Sequence, residues 1–173
     1  MKYFYLILSF FFLTLSSCLG GDDYESDYSD WKAENERYIA NAETEMLNGN
    51  LKYEKIVPDW ETSIFTLVHW YNDRKETQNG IKPLSNSTID VKYLLTNIYG
   101  DTIDSSESFR CQPCNMITGF WVAVTNMYPG DSVSAVIPAD AGYGTSSFGS
   151  VLPYSTLIFD IKLDSIVAYE KRP

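Results

Sequence analysis

Residues 155–167 read STLIFDIKLDSIV. From Leu157 onward apolar and polar residues alternate, placing Leu157, Phe159, Ile161 and Leu163 on one side and Asp160, Lys162 and Asp164 on the other. Successive strand side chains point to opposite faces, so the segment reads as a strand with one buried and one wet face. Such strands belong to antiparallel sheets, because parallel strands are covered on both faces and read as near-continuous apolar runs. The same reading holds further out. STIDVKYLLT (87–96) alternates with Ile89, Val91, Tyr93 and Leu95 on one face; DSVSAVI (131–137) alternates too; SIFTLVHWYND (63–73) is apolar and β-branched. One helical stretch interrupts the strands, NMITGFWVAVTNM (115–127), with Ile117, Phe120, Trp121, Val124 and Met127 at helical spacing and the Pro129-Gly130-Asp131 turn behind it. The class implied is α+β, with an antiparallel sheet and one short helix.

The chain's 173 residues are 45% apolar and 15% aromatic, a globular composition for one domain with an appendage. Its formal net charge of −10 argues against nucleic acid as a partner, whose affinity comes largely from Lys and Arg on phosphates, and against docking on anionic lipid by charge alone. The N-terminus, MKYFYLILSFFFLTLSSC, has one cation, Lys2, then an apolar run ending in small residues. This reads as a secretory signal peptide over residues 1–17 and is too short for a comfortable membrane span. Leu15-Ser16-Ser17-Cys18 resembles a bacterial lipobox, in which Cys18 is lipidated; the alternative is an ordinary cleaved signal peptide with a chance cysteine. Residues 18–30 follow as an acidic, glycine- and serine-containing tether. These features imply an exported protein lipid-anchored to the outer membrane, facing the periplasm or the surface, with the anchor as its only membrane contact.

A helix is expected next, within 29–50, with Ser29 or Asp30 as cap, Trp31, Tyr38, Ile39, Ala42 and Met46 as its apolar stripe, and Asn48-Gly49-Asn50 as its stop. The stripe is too short for a coiled-coil dimer, so packing on its own domain, and a monomer, are expected. The domain division is then residues 31–50 for the helix and 51–173 for the sheet domain.

FRCQPC (109–114) has the Cys-x-x-Cys spacing of thiol–disulfide oxidoreductases, with a helix after Cys114 that would lower a thiol pKa. The preceding NIYGDTIDSSESFR is polar and turn-rich, unlike the buried strand that feeds such a site, and the alternating strands do not suit a parallel sheet. The other reading is a local disulfide between Cys111 and Cys114, the state expected after export to an oxidising compartment. His69, the only histidine, lies in a strand pattern with no evident catalytic partner, and no cluster has metal-ligand spacing. No cofactor is implied.

Four pieces occur in order between 88 and 167: IDVKYLLTNIYGDTIDSS, MITGFWVAVTNMYPGD, AVIPADAGYGTSS and VLPYSTLIFDIKLDSI. Together they resemble the FKBP-type peptidyl-prolyl cis-trans isomerases. DWKAENERYIANA and SIFTLVHWYNDR resemble the N-terminal extension of exported FKBP-type lipoproteins of Bacteroides-like bacteria. The resemblance implies an antiparallel sheet curled around one short helix, with an apolar pocket between them. It implies that Tyr93, Asp104, Ile117 (through its backbone N–H), Phe120, Tyr143 and Phe159 form the catalytic pocket, with Ile103, Met116 and Val151 as substrate-contacting walls. Phe120 stands where the family usually has a tryptophan, Ile103 replaces a common phenylalanine and Met116 a common valine. Fewer residues than usual separate Asp104-Ser105-Ser106 from the helix, and Cys111 and Cys114 fall in that segment, as a disulfide clip at the pocket rim. The implied activity is rotation of Xaa–Pro amides in exported proteins, with proline-containing polypeptides as partners and FKBP-type macrolides as inhibitors. The alternative is a non-catalytic peptide-binding module on the membrane surface.

Overall fold

The computed structural model describes residues 27–169. The signal peptide expected at 1–17, the lipidation site Cys18 and the tether up to residue 26 lie outside the described residues.

Helix α1 spans Ser29–Thr44. Its cap position falls on Tyr28, so Ser29 and Asp30, expected as caps, are its first residues, with Asp30 in the first turn. It ends six residues before the expected boundary at 50 because Asn48 and Gly49 turn the chain into a hairpin. Both are left-handed, at φ 52° and 83°, and Asn-Gly is a favoured two-residue loop of tight hairpins. Strands β1 (Met46–Leu47) and β2 (Asn50–Leu51) pair across it. Met46, expected in the helical stripe, therefore stands 59% exposed on the hairpin.

The remaining strands, β3 (Glu54–Ile56), β4 (Thr66–Trp70), β5 (Thr88–Thr96), β6 (Thr102–Cys111), β7 (Ser132–Ile137) and β8 (Leu157–Ala168), form one six-stranded antiparallel sheet in the order β3-β4-β7-β8-β5-β6. The polar stretch before Cys111 is therefore a strand, not a turn region. It tolerates so many serines and charges because β6 is an edge, where one flank and most side chains meet water. His69 sits in β4, its Nδ1 2.9 Å from the Lys52 carbonyl oxygen.

Helix α2 (Thr118–Thr125) packs on one face of this sheet and α1 on the other. On the α2 face Val68, Ala135, Phe159 and Leu95 run across four strands, joined by Phe120, Val124 and Met127 of the helix region. On the α1 face Leu67 and Val136 are buried with Ala42 and Tyr53, and Tyr38, Ile39, Phe65 and Ile158 pack on them. This double cover explains why β7 is buried at nearly every position although its sequence alternates. Fully burying a side chain such as Leu157 or Phe120 contributes about 1.5–3 kcal/mol. α2 approaches the sheet closely at Gly119, where an added Cβ would collide with Ile137 Cγ2. The turn after α2 is tied by Asp131, wholly buried, whose carboxylate accepts from Asn72 Nδ2 at 3.0 Å, the Tyr128 N–H at 2.8 Å and the Thr77 hydroxyl. Such a buried charge persists because its oxygens are satisfied.

Candidate active site

The sheet face next to the N-terminus of α2 gathers most of the residues expected there in one packed cluster. β5 and β6 place Leu95 opposite Asp104, Tyr93 opposite Ser106 and Val91 opposite Phe109. Directly opposed residues share a face, so Asp104 and Phe109 look the same way as Tyr93. The steps from Ser106 to Phe109 and from Thr102 to Asp104 each carry one extra residue against β5, and these bulges keep both side chains on the pocket side.

The Tyr93 hydroxyl donates to Asp104 Oδ2 at 2.6 Å, and the Ser105 N–H donates to Asp104 Oδ1 at 2.8 Å. The carboxylate is thereby oriented at both oxygens. Burial, then the hydrogen bond to Asp104, pushes the Tyr93 hydroxyl up to about 12. The Tyr93 ring meets Phe109 edge-on at 5.5 Å between centroids and Phe159 at 5.9 Å. Phe159 in turn meets Phe120 edge-on at 5.4 Å. Phe120 is wholly buried, while Phe159 and Val151 keep 5% and 4% exposure. Phe120 is thus the support beneath the floor, and Phe159, Tyr93 and Phe109 present its edges. Ile103, Met116, Ile117 and Tyr143 are half-buried against the same cluster.

Ile117 is the N-cap of α2. The first N–H groups of a helix have no intrahelical partner, so this end offers backbone donors beside the aromatic floor. Tyr143 lies in the β7–β8 loop, its ring stacked on Phe148 at 4.7 Å and 8°. Burial first, then the Asp104 charge, raises the Tyr143 pKa, so its hydroxyl remains a donor at neutral pH.

Sequence reasoning missed two aromatic residues. Phe109 falls at the end of a polar, turn-rich stretch; its signal is the parity it shares with Cys111, masked by the bulge. Phe148, 63% exposed over Tyr143, had no periodicity to mark it. The expected Cys111–Cys114 clip is not formed here, and both are free thiols. Cys111 ends β6 and packs toward the core, where burial pushes its thiol up to about 11. Cys114 is exposed in the turn Pro113–Asn115, its N–H bonded to the Ser85 carbonyl at 2.8 Å.

The profile of the FKBP-type peptidyl-prolyl cis-trans isomerase family matches residues 79–164, the stretch that holds this pocket. The peptidyl-prolyl cis-trans isomerase FKBP15-3 of Arabidopsis thaliana is 30% identical over 135 residues, which cover 75% of this chain and 91% of that protein. The chain belongs to the FKBP-type isomerase family. The outer membrane protein MIP of Legionella longbeachae is 36% identical over 92 residues, 50% of this chain. The crystal structure of Escherichia coli FkpA superposes with a TM-score of 0.69 at 22% identity, covering 86% of this chain and 64% of FkpA, which establishes the FKBP-like fold, here as an open sheet. Several relatives are much longer: the matched segments span 40% of MIP and, in sequence, 34% of FkpA from E. coli K12.

Proposed function

We propose that the chain is a peptidyl-prolyl cis-trans isomerase acting on exported, proline-containing polypeptides. The observation that carries the reading is the Tyr93–Asp104 pair standing over the Phe159–Phe120 floor, with the N-terminus of α2 and Tyr143 at its rim. An Xaa–Pro amide is held planar by a barrier of about 18–20 kcal/mol, which falls when its double-bond character is lost. A dry aromatic floor takes the prolyl ring and removes water from the amide, favouring the less polar, twisted state. The Ile117 N–H and the Tyr143 hydroxyl hold flanking carbonyls so that rotation occurs about one bond. Ile103, Met116 and Val151 line the walls. Neither nucleophile nor cofactor takes part. Each 1.4 kcal/mol or so by which the twisted amide is bound better than the planar one gives about tenfold in rate.

The N-terminal sequence supports an exported lipoprotein of the Bacteroides-like kind. Residues 1–17 are its signal peptide, Cys18 its lipid-bearing residue and 18–30 its tether. The domain, taken as 51–173 with α1 docked on it, acts as a monomer at the outer membrane. Relatives such as MIP, named an outer membrane protein, are in keeping with that location. An oxidising compartment would favour the Cys111–Cys114 disulfide over the free thiols of this structure.

A second reading, a peptide-binding module with little turnover, is favoured by one feature: with Phe120 wholly buried and isoleucine at 103, less aromatic surface faces a substrate. Competition tests the site itself. An FKBP-type macrolide should displace a bound fluorescent proline peptide from the folded chain, and the Tyr93→Ala variant should bind neither. Failure of the folded wild type to bind either ligand would count against both readings.

A further inference from the structure

The segment 138–156, which carries Tyr143, joins β7 to β8 with little regular structure beyond the turn Ala139–Ala141. The residue after Tyr143 is held from the far end of this loop: the Tyr154 N–H donates to the Gly144 carbonyl at 2.8 Å. Gly144 and Tyr154 are both left-handed, at φ 61° and 62°. Glycine adopts that conformation without strain, but for a bulky tyrosine it must be imposed by its surroundings.

Helix α1 supplies those surroundings. The Lys32 ammonium lies 5.1 Å from the centre of the Tyr154 ring. The Trp31 Nε1–H donates to Ser155 Oγ at 3.2 Å, and that hydroxyl donates to the Leu152 carbonyl at 2.7 Å. Asn35 Oδ1 accepts the Thr156 N–H at 2.7 Å, while its Nδ2 donates back to the Trp31 carbonyl at 2.8 Å. Asn35 is 2% exposed, a polar residue on the buried side of the helix whose carboxamide is used at both ends. Beside these points a groove of about 560 Å³ separates Lys32, Glu36 and Ile39 from Pro138, Asp140 and Thr145. The loop therefore rests on α1 at its 154–156 base and not along its length.

We propose that Asn35 is a positioning residue for the isomerase site, holding the Tyr143 hydroxyl in place through Thr156, Tyr154 and the Gly144 peptide. The proposal rests on the isomerase reading of the pocket for its consequence, but not for its geometry. α1 is then part of the working site and not only a spacer from the membrane.

The test uses the full chain in mild detergent with isotopically labelled tyrosine, the Tyr143 ring signal being assigned by its loss in Tyr143→Phe. Asn35→Ala should shift or broaden the Tyr143 signal and leave that of Tyr93, on the sheet, unmoved. It should lower kcat/KM on a proline peptide several-fold, and it should cause no further loss when added to Tyr143→Phe. Trp31→Phe keeps an aromatic side chain, though a smaller one, and removes the Nε1–H donor to Ser155, so it should act in the same direction, and it serves if Asn35→Ala fails to fold. An unmoved Tyr143 signal in folded variants, or losses from Asn35→Ala and Tyr143→Phe that multiply, would overturn the proposal. An inactive wild type would sink the isomerase reading instead, and the ring signal would still decide whether Asn35 holds Tyr143.

Discussion

Tyr93 and Asp104 lie on neighbouring strands, offset by one pleat of the β5–β6 ladder, and are joined by a phenol-to-carboxylate hydrogen bond of 2.6 Å. The Tyr93 ring packs edge-to-face with Phe109 and tilted against Phe159, and the bonded carboxylate places a negative charge near Tyr143. One interaction thus sets both the shape and the field of the pocket.

A first expectation concerns that pair. Tyr93 should be among the last tyrosines to ionise, near pH 12 in an alkaline absorbance titration. Asp104→Asn should bring it down only partway, because burial, the larger cause, remains. The folded pKa lies above the usual value of 10, so the folded state holds the proton more tightly than the unfolded state. The resulting stabilisation is fully present below about pH 10 and is lost as pH rises toward 12. Melting curves of Tyr93→Phe should therefore fall less steeply than those of the wild type across that window, and equal slopes would contradict the assignment.

The cysteines give a second. In reduced protein an alkylating reagent should modify Cys114 well before Cys111, since the thiolate is the reactive species and burial raises the Cys111 thiol to about 11. Mass mapping of the labelled peptides reads the order. Protein recovered from an oxidising compartment should take label at neither site until reductant is added. Immediate labelling of both would remove the disulfide from the proposal.

Packing beneath the pocket gives a third. Gly119→Ala would drive a Cβ into Ile137, which is wholly buried and branched at the contact. A cost of about 1–3 kcal/mol is expected in denaturant unfolding. Phe120→Ala, at a site with no exposure, should cost about 3–5 kcal/mol. If Phe120→Ala costs less than 1 kcal/mol, the floor is not packed as described.

Much of this architecture was legible from side-chain periodicity, and the exceptions have physical causes. The alternation at 157–163 gave β8 and its inward row, with Leu157, Ile161 and Leu163 at no more than 2% exposure. Periodicity overran the end of α1 because Met46 happens to fit the helical stripe, whereas Asn48-Gly49 prefers a hairpin. β6 was illegible because an edge strand needs few apolar residues and because its bulges break the alternation that would have marked Phe109. β7 looked one-sided, since its serines hide the fact that α1 covers its second face. Asn35 could not be read at all: only the fold brings a helical carboxamide to the base of a loop about 120 positions further along the chain. The pocket residues came from family resemblance, and the structure brings most of them together around Phe159. Phe120 lies wholly buried against Phe159.

The most direct measurement is cis-to-trans isomerisation of a short Xaa–Pro peptide by the full chain in mild detergent, with Tyr143→Phe and Asp104→Ala beside it. An isomerase should accelerate the exchange above buffer. Tyr143→Phe should lose several-fold in kcat/KM through one missing donor, worth about 1 kcal/mol, and Asp104→Ala should lose at least as much by releasing Tyr93. Folded wild-type protein that leaves the exchange at its uncatalysed rate would contradict the isomerase reading.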